Sequence, residues 1–234
     1  MALPKFNDVP KYDVEIPSTK QKIRYRPFLV KEQKILLMAL ETKDQKSILA
    51  AITDTLESCI EDNIMIRQLT SFDVEYLFTQ IRSKSVGEKT TIGFYCTECE
   101  EQTDVEIDLS TINIDVPDIN KTIELNEQYK LDMKYPTYFG LLEDEINSES
   151  NIEQIYRMLI LCLDKLKTDD EIIDFADESK EDIMNFIEQL TTGQFDKIMD
   201  FVNKIPALQH DVEFECTGCG HKNTSTLQGI SDFF

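Results

Sequence analysis

The sequence predicts an α+β protein that is mainly helical, with an N-terminal β-hairpin and a small β module split between two distant cysteine-containing segments. Three observations predict this class. Apolar residues recur at helical spacing over most of the chain. Two segments with alternating polar and apolar residues flank a short turn near the N-terminus. Two C-x-x-C pairs, far apart in the chain, each lie between strand-like segments.

The first third of the chain is predicted to form the hairpin and three helices. The hairpin strands are Lys11–Pro17 and Gln21–Phe28, and Pro27 should end the second strand because it has no amide proton. The first helix should start at Val30 and place most of its large apolar residues on one side. The residues predicted for that side are Val30, Ile35, Leu36, Leu37, Met38 and Leu40. The other two helices are predicted at Ser47–Ile60 and Thr70–Ser85.

The middle of the chain is predicted to contain a second hairpin followed by four helices. The hairpin is Lys121–Pro136, with Asn-Glu-Gln as its turn. The predicted helices are Thr137–Ile146, Asn151–Leu166, Glu178–Leu190 and Thr192–Pro206. We therefore predict two domains. Residues 1–90 hold the first hairpin and helices, and residues 91–234 form the cysteine module (about 91–110 and 208–228) around a helical insertion.

Four cysteines form two pairs with matching flanks, Cys96 with Cys99 and Cys216 with Cys219. Each pair has an aromatic residue two positions before its first cysteine and a threonine directly after it. A C-x-x-C turn points two sulfurs inward, and a structural Zn²⁺ takes four thiolates at about 2.3 Å. The sequence therefore predicts a zinc-ribbon-like module with one zinc ion per chain. Four cysteines leave no coordination position for substrate, so the ion should be structural.

The same cysteines allow interpretations other than zinc. A redox pair of thioredoxin type precedes a helix, whereas strand-like sequence follows both pairs here. An iron–sulfur cluster uses the same four thiolates and stays open, as do two unrelated surface pairs without metal. His221 is expected beside the site or exposed rather than among the ligands. Cys59 and Cys162 lie on predicted helices and are expected to be buried apolar residues.

The charge of the chain restricts its partners. There are 45 acidic and 24 basic residues, which gives a net charge of −21. Such a chain is expected to bind neither nucleic acid nor an anionic membrane directly. Residues 1–34 are the exception, with eight basic and four acidic side chains. No apolar run reaches the roughly 20 residues of a membrane span, and the first residues lack a secretory pattern, so a reducing cytoplasm is expected.

No pattern in the sequence indicates an active site. The chain has two histidines, His210 and His221, and both lie within or beside the second cysteine pair. Glycine-rich phosphate loops and the G-x-S-x-G and H-E-x-x-H motifs are absent from the sequence. The sequence therefore predicts a binding or assembly protein rather than an enzyme.

One stretch resembles a known family. The segment IPSTKQKIRYRPFLVKEQKILLMALE, Ile16–Glu41, combines an edge hairpin, an Arg-Pro-Phe turn and a helix that opens with Lys-Glu-x-Lys. It resembles the baseplate hub assembly proteins of T-even-type contractile-tailed bacteriophages and related tail assembly chaperones of myophages. The pairs CTEC and CTGC are similar to those of the same family.

The resemblance implies a non-enzymatic role in the cytoplasm of the infected host, where such a protein binds hub or tail subunits during virion assembly. The edge of the N-terminal hairpin, with Arg24, Arg26 and Phe28, is our candidate contact surface. The alternative is that these three residues only pack against the first helix. Two other functions stay open: a permanent structural component of the hub, and a zinc-ribbon regulator that binds RNA polymerase.

Overall fold

A computed structural model describes residues 9–143 and 151–233 of the chain. The helices in this part are α1 Val30–Thr42, α2 Gln45–Cys59, α3 Ser71–Val86, α4 Tyr138–Glu143, α5 Asn151–Cys162, α6 Lys180–Glu188 and α7 Thr192–Val202. The strands are β1 Tyr12–Glu15, β2 Lys22–Tyr25, β3 Lys89–Tyr95, β4 Gln102–Asp108, β5 Thr122–Glu124, β6 Lys130–Met133, β7 Leu163–Lys167, β8 Ile172–Asp174, β9 Gln209–Glu215 and β10 Lys222–Gln228. No helix in the described ranges is long and apolar enough to cross a membrane.

The α+β class is found, but the prediction that the protein is mainly helical is wrong. The structure contains 42% helix and 25% strand, with its strands in small antiparallel sheets. Part of the difference comes from the predicted helix Asn151–Leu166. This helix ends at Cys162, and the chain continues directly as β7 in the interior of a four-stranded sheet. A short apolar run suits a buried strand as well as a buried helix, so spacing alone could not separate them.

The chain divides into two compact units, residues 1–115 with 207–234 and residues 116–206. The first unit contains β1 to β4, α1 to α3, β9 and β10. The second contains the remaining elements. The predicted division into domains 1–90 and 91–234 stays a prediction. Of the predicted helix Thr137–Ile146, residues 144–146 lie outside the described residues.

In the first unit, the N-terminal hairpin is confirmed and is fastened to α3. β1 and β2 pair antiparallel from Tyr12 opposite Tyr25 to Glu15 opposite Lys22. The carboxylate of Asp73, which is fully buried, accepts hydrogen bonds from the backbone N–H and the hydroxyl of Ser18 in the hairpin turn. The same carboxylate bonds Thr70 in a capping box at the start of α3. One buried carboxylate thus fixes the turn and the helix start together.

In the second unit, four strands form one antiparallel sheet in the order β5-β6-β7-β8. The predicted hairpin Lys121–Pro136 provides β5 and β6, and β7 pairs with β6 through Leu131 opposite Leu166. Leu131, Leu163 and Leu166 are buried. Each strand of this sheet is hydrogen-bonded to the next through its backbone.

Candidate metal centre

Two hairpins of equal length carry the four cysteines. β3 and β4 pair antiparallel over seven residues each, and so do β9 and β10. Residues 96–101 join the first pair of strands and residues 216–221 join the second. Each element of the second hairpin lies 120 residues after its counterpart, since β3 starts at residue 89 and β9 at residue 209. The two hairpins are therefore structural repeats of one another.

The two turns have the same backbone hydrogen bonds. Cys96 N–H donates to the carbonyl of Glu101, and the N–H of Glu100 donates back to the carbonyl of Cys96. In the second turn, Cys216 and His221 and then Gly220 and Cys216 make the equivalent bonds. The residue after the second cysteine has a positive φ in both turns, 59° at Glu100 and 74° at Gly220. Glycine adopts this conformation easily, whereas glutamate adopts it at a cost.

The sulfurs of the two turns converge, as the pairing of the motifs predicts. The Sγ atoms of Cys96 and Cys219 are 3.7 Å apart, and those of Cys99 and Cys216 are 3.6 Å apart. All four lie within 4.8 Å of one another. Four sulfurs at about 2.3 Å from one ion in a tetrahedron lie about 3.8 Å from each other. The site therefore has the size of a single tetrahedral thiolate-bound ion, and all six cysteines are free of disulfides.

Backbone amides point at the first sulfur of each turn. The N–H of Glu98 lies 3.5 Å from Cys96 Sγ, and that of Gly218 lies 3.4 Å from Cys216 Sγ. Burial disfavours the Cys96 thiolate, but the amides of Glu98 and Cys99 outweigh burial and lower its pKa to about 6. The amides of Cys219 and Gly218 likewise lower the pKa of Cys216. These two thiols are thus prepared to be the thiolates that a metal ion requires.

The second sulfur of each turn behaves differently, because it is close to sulfurs that are already anionic. The amide of Glu101 favours the Cys99 thiolate, yet the neighbouring sulfurs raise the pKa of Cys99 to about 12. They also raise the pKa of Cys219 above its usual value, against the amide of His221. Four thiols this close cannot all ionise without a compensating cation. The donor set therefore fits a metal ion, and among the described residues it is the cluster of metal-binding side chains that the structure brings together.

Hydrogen bonds between the two hairpins also involve equivalent positions. The N–H and hydroxyl of Thr97 donate to Asn223 Oδ1 at 3.0 and 2.9 Å. At the equivalent place, the N–H of Thr217 donates to the hydroxyl of Thr103 at 3.2 Å. Thr103 and Asn223 occupy corresponding positions, seven residues after the first cysteine of their turns, and both are buried. Sequence analysis missed these two residues, although their equal spacing from the cysteines was visible.

Beneath the sulfurs, the two hairpins share an apolar cluster. The rings of Phe94 and Phe214, the aromatic residues that precede the cysteines, lie 5.3 Å apart. The buried members of the cluster are Phe94, Ile107, Leu109, Ile112, Leu208, Val212 and Leu227. The strands of the two hairpins do not pair with each other in any described sheet. Sulfurs, polar side chains and this cluster therefore join them in place of a backbone ladder.

The other residues singled out from the sequence lie away from this centre. Arg24 is exposed and pairs with Asp13 across the hairpin. Arg26 donates to the buried Glu32 of α1 at 2.9 Å and to the carbonyl of Ser58. Phe28 is buried, and its N–H donates to Ser85 Oγ at 2.9 Å.

The remaining histidine and cysteines can be placed as well. His221 is exposed at the end of the second cysteine turn. Cys59 and Cys162 are buried, as predicted, and burial raises the pKa of their thiols to about 11 and about 12. Neither is part of the four-sulfur cluster.

Together, the fold and the site define an α+β protein in which two equivalent cysteine hairpins, far apart in sequence, meet at one four-sulfur centre. A family model described as T4 bacteriophage base plate protein matches residues 9–234. The chain belongs to this family, and the predicted resemblance to a T-even-type baseplate family is confirmed. A role at the phage baseplate follows from this membership. No curated protein and no solved structure matches the chain.

Proposed function

We propose that the chain is a non-enzymatic assembly factor of the baseplate hub, which binds hub or tail subunits in the cytoplasm of the infected host. The observation that carries this proposal is the four-sulfur centre. Its four donors all come from the protein, which suits an ion that holds the fold and leaves no ligand position for a substrate. Family membership supports the baseplate as the place where the chain acts.

The proposed metal is one zinc ion per chain, bound by Cys96, Cys99, Cys216 and Cys219. The spacing of the sulfurs suits a single ion better than a cluster of several irons, which would have to lie between the thiolates. Elemental analysis of the purified chain should return about one zinc per chain. Stoichiometric iron, with the visible absorption of iron–thiolate bonds, would show that the bound metal is iron and not zinc. A metal-free chain with intact hairpins would refute the metal site.

The edge of the N-terminal hairpin is the proposed contact for a hub or tail subunit. Arg24 offers the exposed charge there, while Arg26 and Phe28 hold the adjoining backbone through Glu32 and Ser85. Arg24→Glu should weaken capture of hub subunits from infected cells by several-fold at low salt, since an exposed charge acts mainly through electrostatic attraction. Lys20→Glu, a charge reversal in the turn of the same hairpin, is the matched control. Equal capture by wild type and Arg24→Glu would remove this surface from the proposal.

A permanent place in the virion is the second candidate, because the family is described as a base plate protein. Both roles require the gene for normal baseplates. They differ in the finished particle, where a component is present at a fixed copy number and an assembly factor is not.

The experiment is deletion of the gene, followed by electron microscopy of baseplates in infected cells and mass spectrometry of purified virions. The assembly proposal expects few complete baseplates in the deletion and no chain in wild-type virions. A fixed copy number in virions would favour the permanent component. Normal baseplate numbers without the gene would refute both.

A further inference from the structure

Helix α1 buries a carboxylate and leaves most of its large apolar residues exposed. The residues of α1 that are buried are Glu32, Leu36 and Ala39. Glu32 is 3% exposed, and its carboxylate accepts hydrogen bonds from Arg26 Nη2 at 2.9 Å and from the N–H of Leu29 at 2.8 Å. The burial of Glu32 disfavours its charge, but these partners outweigh burial and lower its pKa. A buried carboxylate, paired with the partly buried Arg26, thus occupies a place where an amphipathic helix normally puts an apolar residue.

Apart from Leu36, the large apolar residues of this segment are exposed. Val30 is 80% exposed, Met38 58% and Leu37 54%. Thirteen large apolar residues are exposed in the described chain, and six of them lie within the twelve residues from Leu29 to Leu40. The six are Leu29, Val30, Ile35, Leu37, Met38 and Leu40. The sequence predicted that Val30, Ile35, Leu36, Leu37, Met38 and Leu40 share one side of the helix. The structure corrects that prediction, because only Leu36 of this set is buried, together with Glu32 and Ala39.

The exposed apolar residues surround the helix rather than form one stripe. At 3.6 residues per turn, Ile35 and Met38 lie on one flank of the buried stripe and Leu40 lies on the other. Val30 and Leu37 point away from the stripe. Exposed polar residues lie between them, namely Lys31, Gln33, Lys34 and Glu41. Because the exposed apolar residues are spread over three sides of α1, a concave surface can cover them together, whereas a flat surface cannot.

We propose that α1 is a docking helix that inserts into an apolar groove on another baseplate protein, with carboxylates on the groove rim beside Lys31 and Lys34. This inference rests on the proposed function and names the surface that carries it out. Lys31 and Lys34 are exposed on α1, and Lys31 also lies 3.2 Å from the carboxylate of Glu32. Residues 26–46 carry five basic and three acidic side chains, so α1 and its flanks have a net charge of +2 within a chain of net charge −21. The outer surface of α1 therefore attracts acidic groups that the rest of the chain repels.

A second copy of the chain fits this surface less well. One helix packed against another covers a single side, which would leave either Ile35 or Leu40 exposed. A helix of 13 residues is about 20 Å long, and a stable dimer needs about 800 Å² from each copy. Two chains of net charge −21 also repel each other, and an anionic membrane repels the chain in the same way. A groove on a different protein avoids these objections.

Photo-crosslinking in infected cells tests the occupant of α1. The photoreactive amino acid benzoylphenylalanine replaces Leu37 in one chain and Glu57, an exposed residue of α2, in the control. We expect Leu37 to crosslink to an apolar peptide, flanked by acidic residues, of one other baseplate protein, and Glu57 to give at least tenfold less of that product. Crosslinks from Leu37 to a second copy, to lipid, or to nothing above the Glu57 control would overturn the proposal.

Substitution of the surface gives a second test that does not depend on crosslinking. Leu37→Glu with Met38→Glu removes the centre of the exposed apolar surface, and Met65→Glu changes an exposed apolar residue outside α1. All three side chains are exposed, so the thermal unfolding temperatures should match that of the wild type. We expect the double variant to lower the number of complete baseplates at least tenfold and Met65→Glu to leave it unchanged.

The deletion separates failure of this inference from failure of the proposed function. If deletion of the gene abolishes baseplates but the double variant assembles them at wild-type numbers, the α1 surface is refuted and the function stands. If deletion has no effect on baseplates, the function itself fails, and the inference fails with it.

Discussion

The two β regions of this protein are held together by different means. In the second unit, four strands form one sheet in which each strand pairs with the next. In the first unit, the two cysteine hairpins are separate two-stranded sheets that no backbone ladder joins. A two-stranded hairpin is at best marginally stable alone, whereas a sheet of four strands can be stable on its own core. The cysteine hairpins therefore depend on their sulfurs and side chains in a way that the four-stranded sheet does not.

This difference separates local from long-range stability. The chain between the two cysteine turns is more than 110 residues long, so the entropy of closing that loop opposes their association. A metal ion with four protein ligands offsets this cost in one step, because its binding free energy is folding free energy. The two regions should therefore respond differently when the cysteines or their neighbours are changed.

Removal of the proposed zinc ion should unfold the cysteine hairpins and spare the four-stranded sheet. We expect a strong zinc chelator to lower the free energy of unfolding of the hairpins by about 5 kcal/mol or more, because the four cysteines then lose the ion that they bind in common. Amide hydrogen exchange measures both regions in one sample. Protection of Phe214 and Leu227 should fall, while that of Leu131 and Leu166 should persist. Equal loss in both regions would show that the two sheets share one stabilising source.

Loss of one ligand should have nearly the same effect as loss of two. Cys96→Ser and Cys216→Ser remove equivalent sulfurs, and each should lower the free energy of unfolding by about 3 kcal/mol or more and release the metal. The double variant should add little to either, since residues of one site are not additive. Cys162→Ser in the second unit is the control and should keep about one zinc per chain. Additive losses for Cys96 and Cys216 would argue against a common ion.

The N-terminal hairpin and the cysteine hairpins could be predicted from the sequence, whereas the strand in the middle of the chain at Leu163 could not. The hairpin with Tyr12 and Tyr25 and the meeting of Cys96 with Cys219 were predictable, because alternation and cysteine spacing are local signals with one main interpretation. The strand at Leu163 was not predictable, because Leu163 and Leu166 suit a helix and a strand equally, and only the neighbouring strand decides between them.

The outward apolar surface of α1 was also beyond the sequence. Helical spacing shows which residues share a side of a helix, but it does not show which side the neighbouring helix takes. Here Glu32 is on the buried side and pairs with the partly buried Arg26, and a charged pair six residues apart gives no periodic signal. The equivalent positions of Thr103 and Asn223 are a milder case, since the spacing was present but polar residues at that distance have many uses.

The third prediction concerns the contact of the second cysteine hairpin with α3. Glu75 of α3 accepts a hydrogen bond from the N–H of Leu208, just before β9, and burial raises the pKa of this carboxyl to about 7. The folded chain therefore holds this proton more tightly than the unfolded chain, whose carboxyl titrates near its usual 4.5. Its contribution to the free energy of unfolding thus falls as the pH rises from about 4.5 to about 7, and it stays low above that.

Glu75→Gln should remove this loss, because the amide keeps an acceptor for Leu208 and carries no charge. Above pH 7 the variant should be more stable than the wild type by up to about 3 kcal/mol, and the two should converge near pH 5. Urea unfolding of both chains at pH 5 and pH 8 gives the difference, and any pH effect on the thiols cancels in it. A difference that is the same at both pH values would show that Glu75 does not titrate in this range.

The smallest effects are expected from substitutions at the equivalent positions Thr103 and Asn223, which test how similar the two cysteine hairpins are. Asn223→Ala removes the acceptor of the Thr97 N–H and hydroxyl and a donor that lies 3.6 Å from Cys96 Sγ, and it should cost about 2 kcal/mol because these groups lose their partner in a buried place. Thr103→Ala removes the acceptor of the Thr217 N–H and should cost about 1 kcal/mol. Urea unfolding measures both. If Thr103→Ala lowered the free energy of unfolding as much as Asn223→Ala, the extra hydrogen bonds of Asn223, including the one to Cys96 Sγ, would contribute nothing. The two turns would then be equally stabilised by their buried polar residues.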